Sequence, residues 1–282
     1  MLPMFIGTSN IRVPSLIYGT AWKKAATERL VSLAIENGFR GIDTACQPKH
    51  YEEAGVGAGV AASLKQGLTR ADLYLQTKFT PLSGQDPDRI PYDPKAALAD
   101  QVAESIAASQ RNLQTNYLDC VVLHSPMPTM AQTQSLWRAL EAFVDTGQIR
   151  QLGISNCYRL TDLKSLFDGV RIKPTVVQNR FYADTHYDQE IRAYCRQQQI
   201  IYQSFWTLSA NPDLLAHKAV TALASTYNRT GPQILFRYLT HAGVVPLTGT
   251  KSEIHMREDL AIFDFELTNK DQRAIDALLA TY

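Results

Sequence analysis

No apolar run in this sequence is long enough to cross a bilayer. A spanning helix is therefore excluded, and no membrane partner is expected. The N-terminus lacks a basic segment followed by an apolar one, so no signal peptide is expected and the cytoplasm is the expected compartment. An excess of one charge sign is missing too. Lys plus Arg number 28 and Asp plus Glu 27, a net charge of +1. Nothing in that balance calls for a nucleic acid or another polyanion as partner. Cysteine is scarce. Cys46, Cys120, Cys157 and Cys195 stand far apart and form no CxxC pair, the pattern of free thiols in a reducing compartment. The six histidines show no HxH or HExxH spacing, so no metal site is expected. No GxSxG elbow surrounds Ser125, which argues against an esterase.

What is present is ordinary in composition and regular in pattern. The 282 residues are 45% hydrophobic and 20% charged, enough for one large domain spanning 1–282 with a sizeable core. Eight short runs rich in Val, Ile and Leu fall at 16–19, 41–45, 73–79, 118–124, 151–155, 175–179, 200–205 and 244–247. Most do not alternate with polar residues, as expected of strands buried on both faces. Segments with helical spacing separate them, among them 27–37, 94–113, 134–145 and 188–198. Two helices, near 214–227 and 232–240, precede the last strand, and a final helix covers 268–280. Gly38, Gly147 and Gly243 fall just past helix ends, and Pro94 and Pro232 suit first-turn positions. Eight βα units in one chain imply an α/β (β/α)8 TIM barrel. The stretch from Met4 to Val13 reads as a hairpin that closes the barrel floor.

Three of the runs end on a reactive side chain: Asp43 in Gly41-Ile42-Asp43-Thr44-Ala45, Lys78 after Leu75-Gln76-Thr77, and His124 after Val121-Val122-Leu123. The C-terminal ends of parallel barrel strands share one face, and α/β enzymes place their chemistry there. Singly, each residue has a plainer explanation: a helix N-cap, a solvated lysine, a packed core histidine. Together they predict a convergent site.

These stretches carry a family resemblance along nearly the whole chain. Residues 38–45, Gly-Phe-Arg-Gly-Ile-Asp-Thr-Ala, resemble the Asp-bearing signature of the aldo-keto reductases. Lys78, the His124-Ser125-Pro126 step, Gly153-Ile154-Ser155-Asn156 and Gln178, four residues after Pro174, follow in the family's order. The resemblance implies reduction of a small-molecule carbonyl by NADPH. It also implies roles: Asp43 pairs with Lys78, Lys78 tunes a tyrosine acid, and His124 orients the carbonyl. Physically, a phenol near pKa 10 becomes a better acid when an ammonium favours its anion and a carboxylate holds that ammonium charged. The family's tyrosine position, five residues after the aspartate, is Pro48 here, and the segment 46–53 is lengthened. Tyr51, just before a Glu-bearing helix start, is the favoured acid. Counted back from Val56-Gly57, His50 takes the position instead, and a histidine can also serve as an acid.

The resemblance further implies that Ser155, Asn156 and Gln178 hold the nicotinamide carboxamide and that Phe205 stacks on the ring. Gly19 and Thr20 belong to the loop beside the nicotinamide. Thr248, Gly249, Thr250, Lys251, Ser252, His255, Arg257 and Asp259 belong to the phosphate end. There, Lys251 and Arg257 favour a 2′-phosphate, hence NADPH over NADH, and a helix N-terminus adds amide donors. Gly55, Gly57 and Gly59 form a GxGxG inside a helix, which reads as close packing rather than a dinucleotide turn. Trp22 and Trp206, with Tyr51 and His124, are expected to line a substrate pocket with an open mouth and broad specificity. An NADP-binding regulatory subunit on the same fold is the alternative function, motivated by the displaced tyrosine. Oligomeric state is not set by these features, and a barrel of this size can stand alone.

Overall fold

Eight parallel strands close into a barrel in the computed structural model, which describes residues 3–281. They are β3 (Ile17–Gly19), β4 (Gly41–Asp43), β5 (Tyr74–Phe79), β6 (Cys120–Leu123), β7 (Leu152–Ser155), β8 (Val176–Arg180), β9 (Ile201–Phe205) and β10 (Val244–Thr248). Each pairs with the next in sequence, and β10 returns to pair with β3. The antiparallel hairpin of β1 (Met4–Ile6) and β2 (Arg12–Pro14) precedes them.

Helices alternate with the strands. They are α1 (Thr27–Asn37), α2 (Glu53–Leu64), α3 (Leu98–Leu113), α4 (Met130–Asp145), α5 (Leu160–Gly169), α6 (Gln189–Gln197), α7 (Pro212–Ala216), α8 (Lys218–Tyr227), α9 (Gly231–His241), α10 (Glu253–Leu260) and α11 (Asn269–Leu279). Apolar side chains from helices and the outer strand faces form one core, including Leu30, Val31, Val56, Ile106, Trp137 and Phe236. A second cluster fills the lower barrel interior, where Val13, Ile17, Tyr74, Val122, Val176 and Val245 meet, with Phe5 and Ile11 of the hairpin region packed against it. The hairpin therefore plugs the floor, as the sequence predicts. Fully burying each such side chain stabilises the fold by roughly 1.5–3 kcal/mol, so both clusters hold the strands in the register that positions their upper ends.

The expected strands match the observed ones to within two residues at most ends. Helix bounds differ more: α4 begins at Met130, four residues before the expected 134, with Thr129 as its N-cap, and the helix expected near 214–227 is split into α7 and α8. The sequence places Pro94 in a first turn, but α3 begins at Leu98. The Asp93 carboxylate accepts the Lys95 amide at 2.9 Å, and its carbonyl accepts the Ala96 amide at 3.2 Å. This turn captures the amides that a helix would need. Pro232 does occupy the first turn of α9.

The GxGxG run lies within α2 as expected, and its role is close approach. A Cβ on Gly57 would sit 2.0 Å from the Asn112 carbonyl oxygen of α3, and one on Gly59 2.7 Å from the Glu28 carbonyl oxygen of α1. Both obstacles are backbone, so neither can swing aside. Gly57→Ala should therefore lower stability by about 1–3 kcal/mol or more, the cost of overpacking, read as a shifted midpoint in chemical denaturation. An unchanged midpoint would mean that α2 and α3 are less tightly apposed.

Candidate active site

Strand register delivers the reactive side chains to one place. Asp43 ends β4 and pairs laterally with Gly19 of β3 and Gln76 of β5. Side chains alternate along a barrel strand. Gln76 and Lys78 therefore point inward, while Thr77 between them points outward and donates to Glu53 at 2.5 Å. Lys78 Nζ donates to Asp43 Oδ2 at 2.6 Å and to the Thr44 carbonyl at 2.8 Å. Lys78 is 1% and Asp43 3% exposed, so this is a buried ion pair. The other carboxylate oxygen, Oδ1, accepts from Gln76 Nε2 at 2.7 Å and from Gln178 Nε2 at 2.9 Å. Gln203 closes the layer, exchanging hydrogen bonds with Gln76 and accepting one from Gln178.

Tyr51 lies over this pair. Its ring centre is 5.0 Å from Lys78 Nζ and 6.0 Å from the His124 ring, edge-on to the latter. His50 also lines the cleft but sits against Trp22 rather than over Lys78. Its ring centre lies 3.9 Å from that of Trp22, tilted by 40°, and its Nδ1 bonds Gln47 Oε1 at 2.9 Å. Of the two acids left open by the sequence, Tyr51 is thus the one beside Lys78. His124 follows β6, fixed by its amide donating to the Phe79 carbonyl at 2.9 Å and by its Nδ1 against Thr80 Oγ1 at 2.7 Å.

Burial opposes charge on Lys78, but the Asp43 carboxylate and the Tyr51 phenol outweigh it and hold the ammonium pKa above its ordinary value. On Tyr51 the balance differs from expectation. Burial pushes the phenol up, Asp43 pushes the same way, and Lys78 pulls down without prevailing. The physical reason is burial: the cost of desolvating a phenolate outweighs the pull of Lys78, which Asp43 partly offsets. Tyr51 is therefore a protonated phenol at neutral pH, not one brought toward neutrality. His124 is held well below the usual imidazole range, by burial first and by the Lys78 and His50 charges second, and is neutral at pH 7.

A cleft of ≈ 1090 Å³ opens above these groups. Most of the expected site residues line it: Gly19, Trp22, Asp43, Tyr51, His124, Ser155, Asn156, Gln178, Phe205, Trp206, Thr248, Gly249, Thr250, Lys251, His255 and Asp259. Three do not. Thr20 lies beneath, its amide and hydroxyl both donating to the Asp43 carbonyl. Ser252 caps α10 by accepting the His255 amide at 3.4 Å. Arg257 turns to Asn37 at 3.0 Å and to Glu253, one helical turn earlier, on the exposed face of α10. Trp22, Asn156 and Trp206 all hold positive φ, at 63°, 54° and 54°. Such non-glycine conformations cost energy and gather where surrounding structure enforces them.

A model of the Aldo/keto reductase family matches residues 3–211. The chain belongs to this family. Glyoxal reductase of Bacillus subtilis is 33% identical over 253 residues, 90% of this chain and 83% of the relative. An aldo/keto reductase structure from Brucella melitensis superposes with TM-score 0.84 at 25% identity, covering 99% of this chain and 100% of that one. The silkworm Bombyx mori aldo-keto reductase, solved in complex with NADPH, shares the fold with TM-score 0.82 at 23% identity, covering 98% and 88%.

Within this aldo-keto reductase, sequence reasoning missed several groups. Gln76 and Gln203 complete the layer under Asp43; both stand two residues before a strand-end residue already singled out, so period-two counting would have found them. Lys23 lines the cleft although it is 4% exposed. Its Nζ donates to the Gly249 carbonyl and lies 5.4 Å from the Tyr18 ring centre. Burial, and then Lys251, push its pKa down to about 8. Nothing in the Lys23-Lys24 pair signals that one ammonium is buried.

Replacing Lys78 with Met should destabilise the fold by about 3–5 kcal/mol, because the Asp43 carboxylate would remain buried and unpaired. The double variant Asp43→Asn, Lys78→Met should lose less than the sum of its parts, as a double-mutant cycle in urea would read. Additive losses would show that the two charges do not depend on each other.

Proposed function

We propose that this chain reduces small aldehydes or ketones to alcohols with NADPH, Tyr51 giving the proton and His124 orienting the carbonyl. The observation that carries this reading is the meeting of Tyr51, His124 and the Asp43–Lys78 pair at one point of a cleft large enough for a dinucleotide and a small substrate.

The donor set suits NADPH. Ser155, Asn156 and Gln178 offer a hydroxyl and amides for the carboxamide, and Phe205 offers a ring face. With Arg257 on the exposed face of α10, Lys251 and His255, together with Lys23, are the cations for the phosphates. The start of α10 adds backbone donors. When bound, NADPH supplies the hydride for the carbonyl carbon. The protein's residues do the rest. His124, neutral and fixed by Thr80, donates to the carbonyl oxygen and holds it beside the Tyr51 hydroxyl. As negative charge grows on that oxygen, Tyr51 transfers its proton, and Lys78 stabilises the phenolate left behind. Asp43 keeps the ammonium in place. Trp22 and Trp206, 50% and 48% exposed, form loose walls and support broad specificity. The Bacillus subtilis glyoxal reductase supports small aldehydes as the substrate class.

The regulatory alternative drew on the displaced tyrosine. The lengthened segment nevertheless carries Tyr51 to Lys78, which favours turnover over sensing.

Tyr51→Phe should lower kcat by a factor on the order of 10²–10⁴ while leaving the NADPH Kd nearly unchanged; His50→Ala should change kcat little. Steady-state NADPH oxidation with an aromatic aldehyde, paired with fluorescence titration of NADPH, reads both. A large loss confined to His50→Ala would reassign the acid. A second expectation concerns pH. Lys23 binds phosphate only when charged, and in the free protein that charge is lost as pH rises through about 8. NADPH affinity should therefore fall above that pH, and Lys23→Met should bind more weakly and lose this part of the dependence.

A further inference from the structure

We propose that Thr80 is a positioning residue that donates its hydroxyl proton to His124 Nδ1 and so fixes the imidazole as the Nε2–H tautomer facing the cleft. Resting on the function proposed above, this names the group that decides whether His124 can donate to a carbonyl.

The geometry is specific. Thr80 directly follows β5, is 2% exposed and lines the cleft beside His124. Its Oγ1 lies 2.7 Å from His124 Nδ1. Among the described residues, no other hydrogen-bond partner serves that hydroxyl. Two arrangements fit the distance. If Nδ1–H donated to Oγ1, the hydroxyl hydrogen would be left without an acceptor in a buried position. Nε2 would then be a lone pair turned toward the cleft, which repels a carbonyl oxygen. If Oγ1–H donates to Nδ1, both groups are satisfied and Nε2 carries the hydrogen. Buried polar groups settle into the arrangement that leaves none unpaired. Burial and the neighbouring Lys78 charge keep the ring neutral, so the choice of tautomer is a real one: the doubly protonated form, in which both nitrogens donate, is suppressed.

Thr80 is itself held on several sides. Its carbonyl accepts from Tyr92 Oη at 2.8 Å and from Gln85 Nε2 at 3.2 Å. The same Gln85 amide donates to the Cys46 carbonyl at 3.0 Å, and Gln47 Nε2 donates to the Gly84 carbonyl at 2.6 Å. These bonds join the loop after β5 to the segment that carries Tyr51. Gly84 also packs against the threonine methyl, since a Cβ there would come within 2.8 Å of Thr80 Cγ2. The methyl is thereby wedged, the χ1 rotamer is restricted, and the hydroxyl is aimed at the ring.

The test compares wild type, Thr80→Val and Thr80→Ser. Valine keeps the shape and removes the proton; serine keeps the proton. Long-range proton–nitrogen NMR of histidine-labelled protein without cofactor or substrate reads the His124 tautomer, with His124→Gln identifying its signals. Wild type and Thr80→Ser should show Nε2 protonated and Nδ1 bare; Thr80→Val should show a mixture. With an aldehyde substrate, kcat/KM should fall roughly tenfold or more in Thr80→Val and recover in Thr80→Ser, a smaller loss than deleting a donor outright because part of the population keeps the productive tautomer. NADPH binding should be unaffected in all three. An Nδ1–H tautomer in wild type, or an unchanged tautomer in Thr80→Val, would overturn the proposal. The NMR arm needs no turnover. A wild type with the expected tautomer but no carbonyl reduction would therefore overturn the proposed function, while leaving the Thr80–His124 assignment standing.

Discussion

The structure above the barrel floor depends on one buried ion pair. Asp43 and Lys78 are nearly inaccessible, and desolvating two charges costs several kcal/mol per ion unless geometry and further hydrogen bonds compensate. Here hydrogen bonds compensate on both sides of the pair. Lys78 has Asp43 and the Thr44 carbonyl; Asp43 has Lys78, Gln76 and Gln178. The price of this arrangement is a glutamine layer in the middle of a barrel that elsewhere is filled with Val, Ile and Leu. Gln76, Gln178 and Gln203 come from β5, β8 and β9, so the pair also clamps strands that are not neighbours in the sheet. Below them, Tyr74 donates to Gln76 and accepts from Gln151, which carries the polar contacts down toward the apolar floor.

The same pair acts on Tyr51, but burial decides that it is a protonated phenol. An isolated ammonium at this distance would draw the phenol toward ionisation. Lys78 does pull the phenol down, more than Asp43 pushes it up, but neither matches the cost of burying a phenolate. Desolvation then dominates at Tyr51. For a group whose proposed task is to give up a proton to a developing alkoxide, this is a favourable resting state. The proton is present at the start, and the stabilising charge beneath becomes most useful only once the phenolate forms. Neutral His124 fits the same logic, since a second cation beside Lys78 would be doubly penalised by burial and repulsion.

How much of this was legible in the chain follows from the range of each interaction. The barrel was readable because strands buried on both faces leave continuous Val, Ile and Leu runs, and because the order of those runs fixes the topology. Asp43, Lys78 and His124 were readable because each sits at or near a strand end, and strand ends share a face. The GxGxG was readable as packing because no strand precedes it. What was hidden depended on three-dimensional surroundings. Arg257 looks like a phosphate ligand from the sequence, whereas in the structure it bonds Asn37, from a distant helix, and Glu253, one turn away. Lys23 looks like half of an exposed lysine pair until Gly249 and Tyr18 close over it. The direction of the Tyr51 shift is a sum of opposed effects whose sizes are set by burial, and no spacing in the sequence encodes it.

The lengthened segment before α2 shows how an irregular loop can still deliver a reactive group. The Cys46 amide donates to the Lys78 carbonyl at 3.1 Å, which ties the start of the segment to the neighbouring strand. Then Gln47 reverses the chain. Its carbonyl accepts both the His50 amide at 3.2 Å and the Tyr51 amide at 3.1 Å, while its side chain reaches Gly84 and His50. The extra residues are absorbed in this one tight bend, with Pro48 and Lys49 on its outside. His50 is carried against Trp22, and Tyr51 turns back over Lys78. Counting residues forward from Asp43 lands on Pro48 and counting backward from Val56 lands on His50, because each count assumes a chain without the bend. The position of Tyr51 is set instead by the hydrogen bonds of Gln47, a residue that carries no chemistry of its own.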